Sequence, residues 1–378
     1  MKKSTILFVS AILVILIIGF SFFWESFITI VTLLQQYPRI PPETAITLNQ
    51  QDSYIIHLGY FGDFLQGSVG IVVSLLVLTT VFYTFFIEKN RVEKQRFEDR
   101  FYHLLHMHRS NVNSMAIDFD GIKHENSKAI LSIFRELEVI VKIFKLKMKL
   151  ETKNIFLLDN FSNRDKGLIL IVLNNWKGSF VLDESFEEDS LYEISFLIMF
   201  LGCGERSRKI LKNYLSKYNS SLNIDEIIKV FSDENFRCLV KDNQNFQYKL
   251  FGGHQSRLGH YYRNMFHIVK FIDSSTHLNF NEKLSYIKNF RVQLNTFEQA
   301  LLFVNSKTIF GQEWSKYIIK YKLVKNIPKD FFGKNYWFYI EDEIKRLAKD
   351  NDRVIKKEYK KDVESFMQTY FEFNKHGL

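Results

Sequence analysis

Two uncharged apolar runs lie near the start of the chain, Thr5 to Trp24 (20 residues) and Phe64 to Ile87 (24 residues), and nothing like them recurs. A helix rises 1.5 Å per residue, so about 20 residues cross a hydrocarbon core of roughly 30 Å. In lipid each backbone polar group must pair within its own segment, which favours helix. The expectation is a two-helix transmembrane hairpin over residues 1–87, with spans at about 5–24 and 64–87 and an outer loop over 25–63. Most of the chain, 291 residues, follows the hairpin.

Charge sets the orientation. Lys2 and Lys3 precede the first run, and Lys89, Arg91, Lys94 and Arg96 follow the second. The loop between them holds one basic residue, Arg39, against four acids. The positive-inside rule places both termini in the cytoplasm. A cleaved signal peptide has a shorter apolar region and small residues at its cleavage site. The first run instead ends in Phe22, Phe23 and Trp24, which fits an uncleaved anchor. Gly70 and Ser74 form a small-residue pair read as lipid packing.

Beyond Ile87 the chain carries 48 Lys and Arg against 38 Asp and Glu. Anionic headgroups beside Lys89 to Arg100 account for part of that excess without nucleic acid as a partner. Cys203 and Cys238 give neither a disulfide framework nor a paired metal motif, and read as reduced core thiols. A single proline after the hairpin, Pro328, fits a mainly helical cytoplasmic domain.

Glu88 to Met115 reads as a juxtamembrane helix with Phe97, Phe101, Leu104, His108, Val112 and Met115 on one face. That face either packs on the domain core or continues the second span as a short dimer seam. Ala129 to Leu150 is a second helix, with Lys142, Lys145, Lys147 and Lys149 read as solvated. Leu168 to Leu173 fits strand or helix. Leu191 to Leu201 ends at Gly202-Cys203-Gly204, a helix C-terminus, and Asn223 or Asp225 caps a later helix. Gly252-Gly253 breaks the chain before a helix over 254–273. A further helix is expected from about Asn281 to Asn305, and a charged helical tail over 336–378. The core domain is placed at 116–335.

On the helix after Gly253, His260, Arg263 and His267 share a face. On the next, Arg291, Glu298 and Asn305 recur every seven residues. Polar groups within apolar stripes need partners. The simplest arrangement packs the two helices together with these lines facing each other in the core. Three roles stay open: a structural ion-pair network, a ligand or switch face, or a HEPN-like ribonuclease using Arg263 and His267. In the last, Arg steadies phosphate charge and His moves a proton, although three intervening residues is a shorter spacer than such enzymes use. No phosphate-binding glycine loop, HExxH or GxSxG motif is present. His106 and His108 point to different sides of a helix and do not make a metal face. No cofactor and no metal is called for.

Four blocks of the chain resemble the phage abortive infection protein family (AbiC-like). They are Phe97 to Val112, Tyr192 to Gly204, Leu258-Gly259-His260-Tyr261-Tyr262-Arg263 through Asp273, and Tyr286 through Arg291-Val292-Gln293-Leu294 to Asn305. A weaker echo runs from Lys320 to Pro328. Tyr262 stands where the family usually has Phe. The resemblance implies antiphage defence in a bacterial inner membrane and carries over no catalytic residue. The expected partners are the lipid bilayer, further copies of the chain and a phage-derived or host trigger. The expected role is a membrane effector; the alternatives are a membrane-tethered ribonuclease and a sensor that signals to a separate effector.

Overall fold

The computed structural model describes residues 48–119, 122–125, 127–151, 162–178, 188–216, 223–328, 331–332 and 334–371, with nine positions between Ser10 and Thr32. The chain divides into two compact units, Met1–Glu98 and Asp99–Leu378.

Within the first unit, the nine positions from Ser10 to Thr32 are helical. The rest of the first predicted span and residues 33–47 of the predicted loop lie outside the described residues. Helix α1 (Leu48–Asn113) runs through the second predicted span. Its part from Gly70 is the one described helix long and apolar enough to cross a membrane. The span was expected to begin at Phe64, yet residues 48–63 are already helical. Once nucleated, a helix elongates at little cost, and no proline interrupts 48–63. Phe82 and Phe85 are 65% and 69% exposed. The hydroxyls of Thr79, Thr80 and Thr84 donate to carbonyls four residues back, at 2.7, 2.7 and 2.9 Å. They therefore present little polarity to their surroundings.

The second unit is mainly helical. Its strands, β1 (Ala116–Phe119) and β2 (Ile122–Glu125), form one antiparallel ribbon. The intervening Asp120-Gly121 is a pair favoured in tight hairpins, a signal the sequence reading passed over. Helix α2 (Ser127–Glu151) packs against β2, α3 (Asn163–Asn175), α4 (Glu188–Leu201) and α10 (Thr296–Lys307). Ile130, Phe134, Ile140, Ile143 and Phe144 are all buried, because apolar residues cover most of its circumference. Lys147, expected in solvent, is buried and donates to the Trp176 carbonyl at 3.0 Å. The run at Leu168 resolves as helix, with Leu168, Ile169 and Val172 inward. Helices α5 (Glu205–Leu215), α6 (Ile224–Ser232) and α7 (Glu234–Gln244) follow. Asn223 caps α6 by accepting from the Glu226 N–H at 3.1 Å. Cys203 is buried and its thiol is pushed up to about 12 by burial, whereas Cys238, expected in the core, lies on an exposed face of α7.

Helix α8 (Gln255–Ser274) packs on α4 and α9 (Phe280–Arg291). The single helix expected over 281–305 is two, α9 and α10. Asn295 accepts from the Glu298 N–H at 2.9 Å, and Glu298 accepts from the Asn295 N–H at 2.6 Å. This capping box starts a new helix where a longer apolar period had suggested continuity. Nine consecutive residues of α10, Glu298 to Ser306, are buried, which places it at the centre of the unit. Helix α11 (Trp314–Tyr321) packs on α10, and α12 (Lys334–Asp350), α13 (Asp352–Tyr359) and α14 (Val363–Gln368) complete the tail. Asp273 joins α8 to α11, accepting from Lys320 Nζ and from the Tyr321 hydroxyl at 2.5 Å each. Against the upward push of desolvation, these donors hold its carboxyl below the usual range.

Replacing Asn295 by Ala removes the cap that separates α9 from α10. A loss of about 1 kcal/mol is expected in urea denaturation, within the usual range for such caps.

Candidate functional site

Buried polar groups converge at two places in the second unit. The first is where α2, the end of α4 and the start of α8 meet. Glu136 is fully buried on α2. Its Oε1 accepts from the Phe251 N–H at 2.9 Å, and its Oε2 lies 3.0 Å from His254 Nε2. Arg257 Nη1 stands 3.4 Å from His254 Nδ1. A guanidinium only donates, so Nδ1 accepts and Nε2 carries the proton toward Glu136. The His254 N–H in turn donates to Met199 O and Phe200 O, at 3.1 and 2.9 Å, filling the last carbonyls of α4.

The approach is close. Gly202 has φ +77° and Gly253 φ +91°, a region that L side chains rarely adopt. A Cβ on Gly202 would stand 2.5 Å from the Gly252 carbonyl carbon, and one on Gly253 would stand 2.5 Å from Leu201 O. The glycines were legible as a helix stop and a chain break. That they stop against each other was not. Glu136 was missed, although an acid in AILSIFRELEVIVKIF is a visible anomaly.

The second convergence lies along α8, α10 and the end of α1. His108 is 1% exposed, with its ring 5.3 Å from Tyr261 and 5.7 Å from Phe290. Neither ring nitrogen has a hydrogen-bond partner, and burial lowers the imidazole to about 4. The Tyr262 hydroxyl is buried and also lacks a partner, while the Tyr261 hydroxyl is buried beside the Glu298 carboxylate. Burial raises both phenols well above their usual value, helped by the Glu298 carboxylate. Burial likewise raises Glu298, against the pull of the Asn295 backbone N–H and the nearby Tyr261 hydroxyl. Asn305 is 1% exposed and its Oδ1 has no partner.

These positions change the expected polar network. Glu298 and Asn305 lie in the core, and Arg291 is buried at its edge, donating to Lys322 O at 3.1 Å. His260, Arg263 and His267 were expected to face them. They do share a face of α8, but that face is exposed. Arg263 donates from Nε to Gly259 O at 3.0 Å and sets Nη2 3.3 Å from His260 Nδ1. The reason is periodicity: Tyr261, Tyr262, Met265, Ile268 and Val269 claim the inward side, and the charged stripe is left outside.

Residues 253–332, which hold α8 to α11, match the family model described as "Putative phage abortive infection protein". The match takes in the third and fourth blocks of the resemblance and the chain to Pro328; the blocks at Phe97 and Tyr192 lie outside it. No curated protein and no solved structure matches the chain.

Two outcomes are expected. Glu136→Leu leaves the Phe251 N–H and the His254 Nε2–H without their acceptor, and a loss of about 1–3 kcal/mol for each unsatisfied donor should appear in chemical denaturation. His108 gives a pH dependence. It is neutral in the fold down to about pH 4 and charges near 6.5 when unfolded. Its contribution is therefore whole above about 6.5 and is lost as pH falls toward 4, by about 3 kcal/mol in total. Melting curves at pH 7.5 and 5.0 should show a smaller acid loss in His108→Leu than in the parent.

Proposed function

We propose that this protein is a membrane-anchored effector of abortive infection, held by two spans with both termini in the bacterial cytoplasm. On an infection cue met by the second unit, the spans act on the membrane as an oligomer. The observation that carries this reading is the apolar, exposed part of α1 in a chain whose residues 253–332 match the abortive infection family. Side chains such as Phe82 and Phe85, at 65% and 69% exposure, belong in lipid.

Three further observations support the hairpin. Val72, Leu76, Thr79 and Tyr83 form a half-buried stripe along α1. A Cβ on Gly19 would stand 3.3 Å from Val72, so the first apolar run approaches the second at a residue without a side chain. The Lys and Arg flanks of both runs favour one orientation.

A second reading rests on α8. His260, Arg263 and His267 stand together on an exposed face, open to a phosphodiester, and the domain would then be a tethered ribonuclease. The exposed face lies within the family match.

One culture separates these readings. Membrane potential and total RNA are followed after phage challenge in wild type, a 1–87 deletion, Arg263→Ala and His267→Ala. The effector reading expects depolarisation with intact RNA, unchanged in both point variants, and no protection from the deletion. RNA fragmentation ahead of depolarisation, lost in both point variants, would replace it with the ribonuclease. Absence of protection when the protein is expressed alone would replace it with a sensor that needs a separate effector.

A further inference from the structure

The lysines of α2 that read as a solvated stripe lie in a cleft of about 460 Å³, bounded by α2, the start of α3, α4 and α7. Arg135, Lys142 and Lys145 line it from one helix. Arg135 and Lys145 stand ten residues apart, or roughly 15 Å along the helix. Arg164, in the first turn of α3, adds a fourth cation from the facing wall and is exposed. Two carboxylates, Glu138 and Asp165, also line the cleft, so its cations outnumber its acids. Lys142 is paired with Asp165. Arg135 donates to Gln244 O at 3.3 Å and lies over the Phe246 ring at 5.2 Å. These contacts hold the cations in place along the wall.

The cleft also has an aromatic corner. Tyr192 on α4 meets Phe332 edge to face, with ring centroids 6.0 Å apart, and Lys145 Nζ lies 5.5 Å from the Tyr192 ring. A row of cations ending at two aromatic rings suits a molecule with phosphates at one end and a flat ring at the other. The volume is within the usual range for small-molecule sites.

We propose that this cleft binds a nucleotide, with its phosphates along Arg135, Lys142, Lys145 and Arg164 and its base at Tyr192 and Phe332. The inference names the class of cue for the effector reading above and rests on that reading only for its consequence in the cell. The binding itself is a property of the second unit.

Isothermal titration of the full chain in nanodiscs, with ATP and with sodium tripolyphosphate, tests it. Both probes should bind saturably, ATP the more tightly. Arg164→Glu and Lys145→Glu should each weaken both by at least tenfold while keeping the parent melting temperature. Tyr192→Leu should remove the advantage of ATP and leave tripolyphosphate binding in place. Desolvation raises Glu138 to about 6, opposed by Arg135 and Lys142 on its own helix. Arg164 and the Lys142–Asp165 pair line the same cleft from α3. Glu138→Gln removes this acid from beside the cations and should tighten binding of both probes at pH 7.5.

No saturable binding of either probe, or binding indifferent to Arg164→Glu and Lys145→Glu, would overturn the site. Equal affinity for the two probes would overturn the nucleotide assignment. Plaque counts keep the two readings apart. Full protection by an Arg164→Glu chain that has lost binding would end the cue role and leave the membrane effector untouched. Undiminished protection by the 1–87 deletion would end the effector reading and leave the cleft untouched.

Discussion

A carboxylate taken wholly out of water must be matched by donors, and the way Glu136 is matched organises the second unit. Its two oxygens hold the Phe251 N–H and the His254 ring, so one side chain of α2 determines where the loop before α8 passes. The same loop fills the open carbonyls of α4 through the His254 N–H. Gly202 and Gly253 make this possible, since a Cβ at either position would strike the backbone of the other segment. The segment that matches the abortive infection family begins at Gly253. Its first helix is therefore placed by a residue more than a hundred positions earlier.

Helix α8 then divides its residues by the angle at which they leave the axis. The tyrosine pair goes inward, toward His108 and Glu298, into a core where polar atoms outnumber the hydrogen bonds available to them. Such a region is held by packing, and each unsatisfied group there weakens it. The Arg–His stripe goes outward, where it is solvated. An exposed stripe lacks the walls that shift pKa values and exclude water, which is what most acid–base chemistry uses. An open cleft with charged and aromatic walls lies instead between α2, α3, α4 and α7.

Much of the helix inventory was legible from residue order. The apolar period of α2, the glycine stop after α4, the break at Gly252-Gly253 and the start of α8 follow from local rules that need no partner. The break at Asn295 was also written locally, as Asn-Thr-Phe-Glu, but was hidden because the apolar period runs on across it. Lys147, Lys142 and Lys145 look alike in sequence. Only packing separates them, sending one to a buried carbonyl and two to the cleft wall.

By itself the sequence determined that a long uncharged stretch near the start is helical, that the remainder is mainly helical, and which family its later part resembles. These depend on composition and period along a single element. The tertiary structure alone decided which polar groups meet. Glu136 finds His254, Glu298 turns to its own helix start, and His260, Arg263 and His267 stay in solvent. Period says that residues share a face of a helix. Which face is covered, and by what, depends on elements distant in the chain, and burial then fixes the charge each group can carry.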